Sequence, residues 1–373
     1  MIKIAILWDW QLWAFSSQSA QKIWHNVWIF WAVWKKSPAG QVSEYYWKID
    51  YWNTKKSIKT ILEYKPDVIT SEWENIPVPI LKWLEKNWLS VYPSSEILEQ
   101  IQHRETEKEL IIKTWEKVVE YEWNINSYSD LKKAFNELWP GIIKTARGWY
   151  DSKWQYRINS IDDIDNLNIK FTNIDFIYEK LENFDYEISV IVARNPNWET
   201  IVYEPAYNKH ENWILKTSVI PANLSEIKIM DNTILKAKNI AKNIADKIWM
   251  VWILCVEMFV LQNWEIKINE LAPRPHNSWH HTIESYNISQ YDALINAISN
   301  KTFWELELVR KSVLTNLLWN EIKKIPNREI NKWFTTYYNW DNYYDYWKDI
   351  SEISEKESEL PKGRKMWHKV EIF

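Results

Sequence analysis

Four glycines in a chain of 373 residues constrain this fold more than any other feature. Soluble proteins carry roughly 7% glycine, and the residue is the default wherever the backbone needs a positive φ. A chain of this length needs many such turns, so another residue must occupy them. Tryptophan, at 29 residues, is the one in excess. Asn263-Trp264 and Asn197-Trp198 lie between strand-like runs, where Asn-Gly is the strongest hairpin signal. Trp139 precedes Pro140 after a helical pattern, a common place for a capping glycine. The pattern implies that most of these tryptophans are glycines in the cell, through a UGA codon decoded there as Gly. Native peptides carrying Trp at positions 8, 10, 13, 149 and 154 would overturn that reading. Trp73 is expected to be genuine, since an aromatic fits beside Glu72 and Glu74.

The rest of the composition excludes whole classes. A net charge of −4 argues against a protein that binds nucleic acid through bulk positive charge. One cysteine excludes an internal disulfide framework and suits a reducing compartment. No run reaches the 18 or so apolar residues of a membrane helix, and the N-terminus does not read as a signal peptide. A cytoplasmic protein without membrane or nucleic-acid partners is expected.

Hydrophobic patterning predicts an α/β (α+β) chain in three parts. Residues 1–93 read as alternating strands (2–7, 27–31, 67–70) and helices (11–24, 58–64, 79–86), which implies a doubly wound parallel sheet. Residues 94–300 hold a helical stretch at 94–114, a helix at 127–138, a strand at 141–145, several strands through 175–220, a long helix at 225–248 and a hairpin at 250–272. Residues 301–373 read as a small β-rich unit with an acidic loop at 349–359.

The hairpin carries the most specific chemistry. A two-residue loop at 263–264 pairs Gln262 with Glu265 and, counted back along both strands, sets Glu257 opposite Glu270. Directly opposed residues have Cβ atoms ~4.5–5.5 Å apart. Two carboxylates that close repel unless protonated or bridged by a cation, and Glu257 lies in an apolar strand. Mg²⁺ satisfies both constraints, and so does a separate salt bridge from each Glu to a Lys or Arg. Lys144 to Gln155 is a strand followed by a loop whose backbone amides could close over phosphates if Trp149 and Trp154 are glycines; an exposed turn is the alternative. Two prolines stiffen Glu270 to His280, which presents Arg274, His276, Asn277 and His280 as an anion site or as a capped turn. Residues 362–368 form a basic run of the kind usually found on a surface.

Together these segments resemble ATP-grasp enzymes, and closely the N5-carboxyaminoimidazole ribonucleotide synthases of purine synthesis. The resemblance rests on Ile6-Leu-Trp-Asp-Trp-Gln-Leu-Trp13, Glu74-Asn-Ile-Pro77, Lys144 to Gln155, Glu187 to Arg194, Val256-Glu-Met-Phe259, Asn269 to Ser278, and Gly363-Arg-Lys-Met366. It runs essentially end to end, and many family glycines in these motifs are Trp here.

The resemblance implies an ATP-grasp fold, with a mobile lid at about 115–182, between the parallel-sheet domain and the C-terminal domain. It implies ATP-dependent carboxylation of 5-aminoimidazole ribonucleotide by bicarbonate through carboxyphosphate, with ATP and Mg²⁺ bound and a homodimer as family precedent. Arg104, Lys144, the loop Trp149-Tyr150-Asp151-Ser152-Lys153-Trp154-Gln155, the hinge Glu179-Lys180-Leu181-Glu182, Glu187, His210, Asn269 and Glu270 would bind ATP. Glu257 and Glu270 would hold the metal. Arg274, His276 and Asn277 would take bicarbonate, with Tyr150, Asp151 and Lys153 at the reacting groups. Glu74, Asn75, Arg364, Lys365 and Lys348, or Lys356 in its place, would bind the ribonucleotide. Glu182 stands where the family usually has an aliphatic residue. The alternatives are another ATP-grasp carboxylase or formate-using ligase, or a nucleotide-binding module without catalysis if the tryptophans are genuine.

Overall fold

A computed structural model describes residues 1–7, 11–31, 39, 42–71, 73–147, 155–172, 174–211, 214–224, 227–318 and 365–373. The first sheet is built from β1 (Lys3–Leu7), β2 (Asn26–Trp31), β3 (Tyr45–Lys48), β4 (Val68–Ser71) and β5 (Ser90–Tyr92), all parallel in the order β3-β2-β1-β4-β5. Between them run α1 (Gln11–Lys22), α2 (Thr54–Tyr64) and α3 (Val78–Lys86). Parallel strands need helical crossovers and are buried on both faces, which explains the continuous apolar run of β1. The sequence pattern misses β3 and β5. β3 is largely exposed and β5 is three residues long, so neither carries a clear apolar signal.

The helical stretch at 94–114 is two helices, α4 (Ser95–Ile101) and α5 (Arg104–Lys113). Ser94 caps α4 through Ile97 N–H, and His103 adopts extended backbone that breaks the run. A second sheet in the order β6-β9-β7-β8 follows. It contains β6 (Tyr121–Glu122), β7 (Gly141–Thr145), β8 (Gln155–Ile158) and β9 (Phe176–Lys180), covered by α6 (Tyr128–Leu138) and α7 (Ile161–Asp165). It has its own core of Leu131, Phe135, Ile143, Ile158 and Tyr178, separate from the main core. Gly141 is obligatory here: a Cβ would meet the Tyr178 ring at 2.4 Å.

The largest sheet runs β15-β14-β10-β12-β13-β16-β17, with β11 also on β10. Its strands are β10 (Phe184–Arg194), β11 (Thr200–Val202), β12 (Ala206–Glu211), β13 (Ile214–Ile220), β14 (Trp252–Leu261), β15 (Ile266–Ala272), β16 (Ser312–Leu318) and β17 (Lys365–Ile372). α8 (Asp231–Lys247) packs on β10 and β14 through Ala237, Ala241 and Ile244. It begins six residues later than the sequence pattern predicts, because residues 227–230 are not helical. α9 (Thr282–Ser285) and α10 (Gln290–Ile298) follow the hairpin. Where described, the C-terminal residues expected to form their own unit supply β16 and β17, which extend this sheet from β13.

Among the described residues, nine non-glycines have a left-handed φ, and six are Trp: 24, 88, 115, 198, 249 and 264. A bulky side chain at positive φ is an outlier. Trp88, Trp115 and Trp249 each follow the C-cap residue of a helix, where glycine is preferred. Trp88 is 95% exposed, so its indole gains nothing from packing. At Trp139 the backbone does not call for glycine: its φ is −40°, which any residue adopts. Trp13 is fully buried against Trp252, with ring centroids 6.3 Å apart. Trp73 packs edge-on against Tyr51.

Candidate active site

Glu257 and Glu270 are opposed, as the hairpin count predicts, but by a different route. The turn is a three-residue loop: Leu261 N–H bonds to Glu265 O, and Trp264 takes φ 64°. That moves the register by one. A bulge at Asn269 moves it back, so the two shifts cancel between the turn and Glu270.

Neither carboxylate faces the other unrelieved. Glu257 Oε1 lies 2.9 Å from His276 Nε2, and Glu270 Oε2 lies 3.1 Å from Arg104. Burial pushes the Glu257 carboxyl up, but His276, His210 and Arg274 together outweigh it and hold it at about 2. Among the described residues no cluster of three or more His, Cys, Asp or Glu forms a metal cage. The donor set is two opposed carboxylates, which suits a hard cation that shares its remaining positions with phosphate oxygens.

His276 is aimed by a buried polar chain. Its Nδ1 is 2.8 Å from Ser278 Oγ, which is 3.2 Å from Ser189 Oγ, and Ser189 accepts from Asn208 and from Trp279 Nε1. Gln290 brackets the His276 backbone, accepting from its N–H and donating to its carbonyl. Arg274 pairs with Glu74, which lies just past the carboxyl end of β4, where ligands bind in open parallel sheets. Burial pushes the Glu74 carboxyl up against the pull of Arg274. Gln102 donates to the carbonyls of Glu74 and Ile76 and fixes that turn, in which Asn75 is half-buried. Asn277 opens the short 3-10 turn after His276.

On the second sheet Lys144 lies 2.5 Å from Glu179. Gln155 pairs with Lys144 across β7 and β8. Glu187 accepts from His210 at 2.9 Å, and burial pushes its carboxyl up. Leu181 and Glu182 follow β9. The Glu182 carboxylate is met by Lys267 at 2.6 Å, and Lys267 also reaches Glu120, to whose carbonyl Lys180 N–H donates. One ammonium therefore ties the strand entering the second sheet to the strand leaving it. This compensates the Glu that stands in place of an aliphatic residue.

Trp149 to Trp154, Lys348, Lys356, Arg364 and the acidic loop lie outside the described residues. For Lys365 only the backbone, in β17, is described. Sequence reasoning missed Glu107 and Lys108. Both lie on α5 within one turn of Arg104, and a charged i, i+3, i+4 set beside Leu110 and Ile111 was the available signal. Glu107 accepts from Leu271 N–H, and burial pushes its carboxyl up to about 8.

This geometry has known counterparts. Residues 1–102 match the ribonucleotide synthetase preATP-grasp domain and residues 111–291 match the ATP-grasp domain. The chain is 33% identical over 98% of its length to N5-carboxyaminoimidazole ribonucleotide synthase of Bacillus subtilis, covering 90% of that protein. The chain belongs to the N5-carboxyaminoimidazole ribonucleotide synthase family. The Staphylococcus aureus (strain MRSA252) family member is 31% identical over 87% of the chain and 84% of that protein. A solved synthetase of the family in complex with ADP superposes with a TM-score of 0.87 at 32% identity, over all of this chain and 92% of that one. The ADP complex of the Staphylococcus aureus synthetase gives 0.86 at 29%, over all of this chain and 93% of that one. Among the described residues no helix is long and apolar enough to cross a membrane.

Proposed function

We propose that this protein carboxylates 5-aminoimidazole ribonucleotide with bicarbonate at the expense of ATP, giving N5-carboxyaminoimidazole ribonucleotide, ADP and phosphate. The observation that carries the reading is Glu257 opposite Glu270, with His276 on Glu257, Arg104 on Glu270, Arg274 on Glu74 and Lys144 on Glu179.

Phosphoryl transfer asks for charge neutralisation and positioning rather than covalent chemistry. Lys144 offers an ammonium to the phosphates of ATP. Glu179 to Glu182 line the base, and Glu187, His210 and Asn269 the ribose. Glu257 and Glu270 would hold Mg²⁺, which supplies Lewis-acid neutralisation of the phosphate oxygens when bound. Arg274, His276 and Asn277 hold bicarbonate and its phosphorylated product. Releasing Arg274 from Glu74 makes its guanidinium available to that anion. Tyr150, Asp151 and Lys153 close over the reacting groups and keep water from carboxyphosphate. Glu74, Asn75, Lys348, Arg364 and Lys365 bind the ribonucleotide. The working form is a cytoplasmic homodimer.

The test uses the chain with glycine restored at the recoded positions and follows ADP release from Mg·ATP and bicarbonate. Strong stimulation by 5-aminoimidazole ribonucleotide supports the reading. No stimulation, in a protein that still binds ATP, refutes the acceptor.

A further inference from the structure

Lys108 is almost fully enclosed beside the nucleotide site, with a side chain 1% exposed. Its ammonium lies 2.9 Å from Glu179 Oε1, while Lys144 occupies Glu179 Oε2. It donates to the Asn269 carbonyl at 3.3 Å and lies 5.7 Å from the centroid of the Tyr121 ring. One fixed cation thus touches β9 of the second sheet, the strand that enters that sheet, and the hairpin of the largest sheet.

The two lysines on Glu179 are not equivalent. Lys108 points inward from a buried helix face, whereas Lys144 stands at the end of the strand that leads into residues 148–154. A buried carboxylate needs a counter-charge at all times. If Lys144 were its sole partner, every phosphate contact would strip Glu179 of that charge. With Lys108 in place, Glu179 stays neutralised while Lys144 moves.

We propose that Lys108 is a positioning residue for nucleotide binding, which holds Glu179 permanently and so frees the Lys144 ammonium for the phosphates. The inference rests on the nucleotide-site reading above. The test is a double-mutant cycle on the full chain, read by ADP calorimetry and by the KM for ATP and kcat. Lys108→Met is expected to weaken ADP binding and raise the KM about tenfold with kcat much less affected, and to cost under about twofold in a Lys144→Met background. Equal losses in the two backgrounds would make Lys108 a mere scaffold and overturn the proposal, as would unchanged ADP binding in Lys108→Met. Lys108→Arg keeps the charge and is expected to bind ADP within about threefold of the parent. A tenfold loss in a folded Arg variant also overturns it. Failure of the parent chain itself to bind ADP would instead remove the nucleotide-site reading.

Discussion

At the scale of single residues the backbone and the side chains disagree, and the backbone is the better guide. Trp88 closes α3 in the left-handed region with both bonds of a Schellman cap: its own N–H reaches Glu85 O, and Leu89 N–H reaches Leu84 O. Nothing in the 95% exposed indole repays the strain. Trp88→Gly is therefore expected to raise unfolding stability by about 1 kcal/mol, and Trp88→Ala by clearly less, since Ala keeps the Cβ clash. Urea midpoints of the three proteins check this, and equal midpoints for Gly and Ala would remove the strain argument. Peptide mass spectrometry of native protein then decides whether glycine is already there. The same scale holds the sharpest catalytic prediction. Glu270→Gln removes one of two opposed carboxylates and the partner of Arg104, so ADP formation should vanish while the far-UV spectrum stays unchanged. Near-normal turnover would refute the metal assignment.

At the scale of elements, Lys267 decides how the second sheet is attached. Its side chain is 11% exposed and holds Glu182, itself 7% exposed, together with Glu120. Removing one partner of a mostly buried pair strands the other charge, so Lys267→Met should cost about 2 kcal/mol. Lys267→Met with Glu182→Leu should recover most of that loss, because an apolar replacement of the whole pair is often neutral. Thermal melts of the single and double variants test it; a neutral single variant would show that the pair is solvent-relaxed. The hairpin shows what was legible at this scale. Counting back from an assumed two-residue loop put Glu257 opposite Glu270, yet neither the three-residue turn nor the Asn269 bulge could be read, because each hides the other in the register. The division of 94–114 into two helices was hidden for another reason. His103 breaks the run by backbone conformation alone, without Gly or Pro to mark it.

At the scale of the whole molecule, the site depends on pairings that no local pattern reveals. Glu74 and Arg274 are 200 residues apart, and Arg104 and Glu270 are 166 apart. The motifs named the residues, but only the packing of the parallel-sheet domain against the hairpin says which charges meet. The C-terminal strand β17 is a second case. It buries His368 against His280, with ring centroids 4.6 Å apart, while His281 bonds Ser312 on β16 and packs edge-on against Trp279. Burial holds both His281 and His368 at about 3, and charge on His281 opposes protonation of His368 further. Because their folded pKa values lie below the unfolded value of about 6.5, the unfolded chain binds more protons between those limits. Their contribution to stability is therefore complete above pH 6.5 and is lost as the pH falls toward 3. Glu107, which burial holds at about 8, runs in the opposite sense across pH 6.5 to 5, but it does so alike in the parent and in a histidine variant, so the difference between the two slopes reports the histidines. The urea midpoint of the parent chain should fall across that interval, whereas His281→Asn with His368→Asn should start lower at pH 7.5 and decline less steeply. Parallel slopes would mean that β17 separates from the sheet before either ring meets a proton, and the acid sensitivity would then have to be sought in His25, which burial also holds at about 4.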